Sequence, residues 1–515
     1  MKHKSVYTHQ TLSPSNKRPP YLYLINTIYP FKSQNKELLL TSMAEKPHIA
    51  ILPSPGMGHL IPLLEFAKAL LALHHGFGVT CIVPTIGYPS EATKAVLEGL
   101  PTNIDHVFLP PVSPKDLEEA HPGIQISLTI TLSLPSLRDV LKSLLETTRL
   151  AALVFDPFAS DVLEVAKELQ LSPYLFIATN AMVLSLLLHL PTLDETIPCE
   201  YRDLPEPLKL PGCIPIHGRD LITAVQDRKS EWYELFLRHA KRLSLAEGII
   251  VNTFIDLEGQ VIKALEEDEA GYPPIYPVGP IIQSGSGTND EDDESGCLRW
   301  LDNQPGGSVL FVSFGSGGTL SSDQTNELAL GLEWSGQKFL WVARSPNNEF
   351  TSAAYLKNQS HDDHLAFLPQ GFLARTKGQG LVVPSWAPQA QILSHASTGG
   401  FLTHCGWNST LESIMINGTP LIAWPLFAEQ RMNAVFLAED LKVALRPKAD
   451  EKGFVGREEI AKVVQGLMAG EEGKSIRKRM KELRIAGEKA KSADGSSTRA
   501  LSELASKLAF KPRSF

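Results

Sequence analysis

The chain has 515 residues, too many for one ordinary core, and its 43% hydrophobic and 20% charged content is that of a globular protein with two or more domains. The net charge of −9 is unevenly placed: residues 1–42 carry six Lys/Arg against one Glu, leaving an acidic remainder that argues against nucleic-acid binding, which needs a basic face. Cys81, Cys199, Cys213, Cys297 and Cys405 are odd in number and lack metal spacing, so reduced thiols and a cytoplasmic location are expected.

Residues 1–42 are basic, rich in Tyr, Ser and Asn, and lack the apolar core of a secretory signal. They read as a disordered or spurious extension over 1–43, with an organelle transit peptide as the other reading. No run approaches the roughly 18 to 20 apolar residues of a membrane span; Ile126 to Leu134 and Ala181 to Leu190 are short and interrupted. From His48 the pattern becomes strand then helix: His48 to Pro53 is a buried-type strand, SPGMG a turn, and His59 to about Leu73 a helix. Strand-like runs recur at Val79 to Pro84, Ile104 to Leu109, Ala152 to Phe155 and Tyr174 to Ala178, with helical patterns between them, notably Leu134 to Leu145 and Ser160 to Leu169. Such alternation implies a parallel sheet covered on both faces.

Helical segments Glu231 to Leu245 and Phe254 to Glu267 flank another strand, Gly248 to Asn252. Composition then shifts, and Ser284 to Gly296, polar, glycine-rich and acidic, reads as a solvated linker. The rhythm restarts with strands at Ser308 to Ser313, Phe339 to Ala343 and Gly380 to Pro384, and Asn347 to Asp363 reads as a mobile surface loop. Charged helices from Arg457 to Lys491 and Ser496 to Leu508 close the chain. The expected fold is α/β: two Rossmann-like parallel-sheet domains, 44–283 and 297–491, facing across a cleft.

The densest stretch runs from Trp386 to Gln430, WAPQAQILSHASTGGFLTHCGWNSTLESIMINGTPLIAWPLFAEQ. Ser397 to Thr403 is a strand and Asn408 to Ile416 a helix opened by a polar cap, with HCGW between them. A strand passing through a glycine turn into a helix leaves backbone N–H groups open, where they and the macrodipole favour an anion such as a diphosphate. His404, Asn408 and Ser409 add side-chain donors, Trp386 offers a face for a nucleobase, and Glu412 can accept from ribose hydroxyls. Glu429 and Gln430 supply the acceptor and donor mixture a hexose needs. Any one of these residues is more simply core; the ordered set is not.

This stretch closely resembles the signature box of plant family 1 UDP-glycosyltransferases. The resemblance covers nearly the whole chain after Met43, and LHLPTLDETIPCEYRDLPEPLKLPGC and WLDNQPGGSVLFVSFGSGGTLS look most like the hydroquinone and monolignol glucosyltransferase subgroup. It implies a GT-B fold whose final segment, 492–515, returns to the N-terminal domain, and a UDP-sugar site including Ala387, Gln389, Gly406 and Trp407. It also implies an inverting reaction on UDP-glucose with no metal or other cofactor, in a monomer. One departure stands out: the box has 45 residues against the usual 44, with the extra residue in Ser413 to Pro420, upstream of Glu429 and Gln430.

In open parallel sheets ligands collect at the carboxyl ends of strands. His59 and Asp156 both fall there, and a neutral imidazole held in one tautomer by a carboxylate is a general-base dyad for a phenol's proton. The residues alone leave a second reading open, His59 as a helix-start polar residue and Asp156 as an N-cap. The resemblance favours the dyad, since GMGH holds the family's catalytic histidine. Ser54, Thr179 and Asn180 are read as acceptor- or sugar-facing, ordinary loop polars being the alternative. FGSGG, Phe314 to Gly318, follows a strand and precedes a helix, so its amides could cradle phosphate, and the resemblance places Ser316 near the diphosphate.

Other patterns are discounted. Gly56-Met57-Gly58 and FGSGGTL both lack the third glycine of a dinucleotide fingerprint, which disfavours an oxidoreductase. Asp290-Glu291-Asp292 reads as a solvated charge run and His361 to His364 as a chance loop cluster. A UDP-sugar-binding protein without catalysis is the remaining alternative, which an intact His59 and Asp156 oppose.

Overall fold

The computed structural model describes residues 46–510 except 75, 118–119, 269–270, 284–295, 350 and 352–364. The extension over 1–43, linker residues 284–295, most of the 347–363 loop and the cluster at 361–364 lie outside the described residues. Asn347 and Asn348 are bonded: Asn347 N donates to Leu320 O at 2.8 Å, and Ser322 N donates to Asn348 Oδ1 at 2.9 Å.

Strands β1 (Pro47–Leu52), β2 (Gly78–Val83), β3 (Ile104–Phe108), β4 (Arg149–Phe155), β5 (Ser172–Ile177), β6 (Gly248–Val251) and β7 (Ile275–Pro277) form one parallel sheet, ordered β3-β2-β1-β4-β5-β6-β7. A second parallel sheet holds β8 (Val309–Ser313), β9 (Lys338–Ala343), β10 (Gly380–Pro384), β11 (Thr398–Thr403), β12 (Leu421–Ala423) and β13 (Ala444–Leu445), ordered β10-β9-β8-β11-β12-β13. The central strands are buried along their length, as sheets covered by helices on both faces require.

Each sheet has one place where the winding direction reverses, between β1 and β4 in the first and between β8 and β11 in the second. Leu52 pairs with Phe155 at the end of β1 and β4, and Ser313 with Thr403 at the end of β8 and β11. The turns that follow these four strands are therefore neighbours in pairs, in the crevices where open sheets bind ligands.

Two elements differ from the sequence reading, and the last helix follows it. The helix expected at Leu134 to Leu145 spans Pro122–Thr147. Its first half is rich in hydroxyls that bond back to their own helix, Thr129 Oγ1 to Gln125 O and Ser133 Oγ to Thr129 O, both at 2.7 Å, which hides it from an apolar-periodicity reading. The charged segment from Arg457 divides into Arg457–Ala469 and Glu471–Ala490 at Gly470, where a Cβ would lie 2.6 Å from Gly466 O. The last helix, Ser496–Phe510, packs Leu501, Leu504 and Leu508 into the cluster holding Ile49 and Ile51 of β1, and Arg149 Nη2 donates to Ala509 O at 2.6 Å.

Candidate active site

β1 ends at Leu52, and the chain turns through Ser54 to Gly56, whose φ of 121° suits a residue without a Cβ. Helix Met57–Leu73 starts there and carries His59 in its first turn. Asp156 follows the neighbouring β4, and its Oδ2 lies 3.0 Å from His59 Nδ1. The carboxylate also accepts from Ser54 N at 2.9 Å, Ser54 Oγ at 2.5 Å and Phe158 N at 3.0 Å. Asp156 thus caps the short turn Pro157–Ala159 and contacts the imidazole at once, so its N-cap geometry does not exclude the pairing with His59. With Nδ1 donating to Asp156, His59 Nε2 is the nitrogen left to take a proton.

Burial alone would push the His59 pKa down, but the Asp156 charge and hydrogen bond outweigh it and hold the ring above its ordinary value. Burial likewise penalises the Asp156 carboxylate, and His59 together with Ser54 holds it below the usual range. Ser54 is therefore not free to face an acceptor, because its hydroxyl is committed to Asp156. Asn180 also departs from its expected role. It is fully buried, its Oδ1 accepts from Val183 N at 2.9 Å as the cap of helix Ala181–Thr196, and its Nδ2 donates to Asn433 Oδ1 at 2.9 Å, so no face remains for acceptor or sugar. Thr179 keeps a buried hydroxyl without a partner among the described residues.

In the second lobe β11 enters the HCGW turn, where Cys405 holds φ 66°. Helix Trp407–Ile416 is capped by Gly406 and not by Asn408, which lies inside the first turn; no side chain satisfies the cap, so the first N–H groups stay open to an anion. His404 is wedged where a Cβ at Gly315 or Gly406 would come within 2.5 Å or 2.4 Å of its ring. Burial, with Arg344 nearby, lowers its pKa to about 4, and its buried Nδ1 has no partner among the described residues. Gln389 Nε2 bridges Ser409 Oγ at 3.0 Å and Glu412 Oε2 at 2.7 Å, joining three of the expected site residues in one cluster. Ala387 is buried, whereas Trp386, just after β10, is 69% exposed, which leaves its ring open for stacking.

The FGSGG turn contributes less than expected. The next helix begins only at Ser322 and is capped by its own Ser321, so the turn offers loop amides and an exposed Ser316 but no helix terminus. Arg344, which sequence reading passed over, follows β9 beside this turn; Nη1 donates to Gly315 O, and Nε is buried without a partner among the described residues. Its one sequence signal is an arginine directly after an apolar strand.

The segment that carries the extra residue closes as a helix end. Gly418 holds φ 65°, Gly418 N donates to Ile414 O at 3.1 Å and Thr419 N to Ser413 O at 3.0 Å, closing the end of the helix. β12 then pairs with β11 in unbroken register from Phe401↔Leu421 to Thr403↔Ala423. Glu429 sits where its charge acts on His59 of the other lobe. Gln430 is buried, and its Oε1 accepts from Leu426 N and Phe427 N at 2.8 and 3.0 Å, so only its NH2 group remains to meet a sugar.

Contacts between the lobes fix this loop. Thr223 N donates to Ala428 O at 2.9 Å, Trp407 Nε1 donates to Asn252 O at 2.7 Å, and Arg446 pairs with Asp220 at 2.6 Å. Trp407 is thus an anchor between lobes, its indole N–H committed to the first. Asn433, fully buried, accepts from Asn180 and donates to Cys405 O at 2.8 Å, tying the first lobe to the HCGW turn. Replacing Asn433 with Ala strands the Cys405 carbonyl and the Asn180 amide and is expected to cost about 1–3 kcal/mol, read as a shift in the urea midpoint.

Two parallel-sheet lobes, one presenting a carboxylate-held imidazole and the other an uncapped helix start beside a half-buried arginine, define a two-lobed transferase for a diphosphate-bearing donor. A family model described as UDP-glucoronosyl and UDP-glucosyl transferase matches residues 268–445. Hydroquinone glucosyltransferase of Rauvolfia serpentina is 60% identical over 466 residues, 90% of this chain and 98% of that protein. Phytolacca americana UGT2, complexed with UDP-2fluoro-glucose and pterostilbene, superposes with TM-score 0.82 at 53% identity, covering 90% of this chain and 99% of that one. A Polygonum tinctorium UDP-glucosyltransferase capable of glucosylating indoxyl, in complex with 3,4-dichloroaniline, does so with TM-score 0.83 at 52% identity, covering 91% and 100%. The chain belongs to the plant family 1 UDP-glycosyltransferases, near the hydroquinone and monolignol subgroup, and its fold is GT-B. Among the described residues no helix is long and apolar enough to cross a membrane.

Proposed function

We propose that the chain transfers glucose from UDP-glucose to the hydroxyl of a small phenol, with inversion at the anomeric carbon and without a metal. The observation that carries this is the His59–Asp156 pair at one switch point, with Glu429 of the other lobe close enough to act on the imidazole. The acceptor proton goes to His59 Nε2, and the phenolic oxygen attacks the anomeric carbon from the face opposite the diphosphate. The bond from that carbon to the UDP oxygen breaks, its electrons staying on the phosphate. The open start of helix Trp407–Ile416, His404, Ser316 and the Arg344 charge meet the leaving diphosphate, the work a divalent cation does elsewhere. A phenol helps, since its pKa near ~10 is far below an alkanol's. Glu429 and the Gln430 amide offer the sugar hydroxyls an acceptor and a donor. The hydroquinone and UDP-2fluoro-glucose in the relatives' names support this choice of acceptor and donor. Five free thiols suit a reducing compartment, and a cytoplasmic monomer completes the proposal.

Incubation with UDP-glucose and hydroquinone in excess EDTA, followed by proton NMR of the product, tests the whole reading. A β-glucoside is expected; an α-glucoside, no product, or activity only after divalent metal is restored would each refute the corresponding part. Only neutral imidazole can accept the proton, so kcat/KM is expected to rise as pH climbs through the elevated His59 pKa and to be lost below it. A pH-independent kcat/KM across that range would remove His59 from the role.

A further inference from the structure

Four rings run outward from the base. The His59 ring meets Phe158 edge to face at 5.4 Å between centroids, Phe158 lies near-parallel to Trp232 at 5.8 Å, and Trp232 near-parallel to His121 at 5.5 Å. Phe236 braces Trp232 edge-on at 5.7 Å. Phe158 and Trp232 are half-buried and His121 is exposed, so the run leads from the reacting nitrogen to the surface.

Trp232 stands in the first turn of helix Glu231–Arg242 and leans on the start of helix Pro122–Thr147. A Cβ at Gly123 would lie 2.4 Å from the indole, so the missing side chain there is what admits the ring. His121 Nδ1 accepts from Gly123 N at 3.1 Å, which fixes the imidazole and the backbone beneath the indole together. With Nδ1 accepting, the neutral ring carries its proton on Nε2, a hydrogen-bond donor at the outer end of the run.

Resting on His59 as the base for a phenolic acceptor, we propose that Trp232, admitted by Gly123 and flanked by His121, is the outer wall of the acceptor site and favours acceptors with a second aromatic ring beyond the reacting one. A single-ring phenol with its hydroxyl at His59 reaches Phe158; a longer acceptor reaches the edge of the indole as well and gains an edge-to-face contact there, since Phe158 and His121 already stack on the indole. An oxygen on the second ring can accept from His121 Nε2.

The test compares kcat/KM for 4-hydroxystilbene and for hydroquinone, with UDP-glucose, in the full chain and its variants. Trp232→Ala is expected to lower the stilbene-to-hydroquinone ratio by up to about tenfold, the scale of one aromatic contact. Trp232→Phe is expected to restore part of the ratio, and Gly123→Ala, which displaces the indole without removing it, to move the ratio the same way as Trp232→Ala. A residue that only packs the fold would lower both rates together; an unchanged ratio in Trp232→Ala overturns the proposal. Calorimetry separates this from the underlying reading. If the unaltered chain glucosylates neither phenol, the base assignment fails, and stilbene affinity then decides the wall: weaker binding in Trp232→Ala supports it and equal binding overturns it.

Discussion

Replacing His59 with Ala is expected to lower kcat for glucosyl transfer by about 10²- to 10⁴-fold, the range over which a positioned general base contributes. The change removes the nitrogen proposed to take the acceptor proton while leaving the second lobe untouched, so UDP affinity by calorimetry is expected to hold. The fold is expected to hold as well. Asp156 keeps Ser54 N, Ser54 Oγ and Phe158 N as donors when the imidazole is gone, so its buried charge is not stranded. Near-normal turnover in a variant that still binds UDP would end the assignment of the base.

Asp156→Asn is expected to be nearly as severe, at about 10²- to 10⁴-fold in kcat, and for a different reason. Asp156 Oδ1 accepts from Ser54 Oγ and Phe158 N, and Oδ2 accepts from Ser54 N and His59 Nδ1. Whichever way an asparagine is turned, its NH2 group faces a backbone N–H. One donor is then left unmet, at about 1–3 kcal/mol of stability. If the NH2 faces the imidazole, His59 is driven to the tautomer whose proton sits on the reacting nitrogen, where it cannot act as a base. If the two residues work as a unit, as proposed, the double variant is expected to be no slower than the slower single one; multiplied losses would show that they act independently.

Strand positions were readable because strands buried on both faces are continuous apolar runs. Val309–Ser313, buried at every position, is such a case, one residue shorter at its start than the run Ser308 to Ser313. The helix Pro122–Thr147 was half missed because its self-bonded hydroxyls carry no periodic apolar signal. Ser54 and Asn180 illustrate a deeper limit. Each has the polarity of a substrate-facing residue, and each is committed elsewhere, one to Asp156 across 102 residues and the other to Asn433 across 253. Arg344 was passed over because nothing local separates a half-buried cation beside a glycine turn from an ordinary strand-end arginine.

By itself the sequence determined the order of strands and helices, the glycine turns at Gly56 and HCGW, and the residue types waiting at the strand ends. These depend on neighbours within a few positions, which is the range over which periodicity, capping and turn chemistry act. Only the tertiary structure decided that β1 lies against β4 and β8 against β11, which polar side chains were left free, and which held the lobes together. Those outcomes rest on pairings between distant segments, where a donor has several acceptors to choose from and packing of the whole chain selects one.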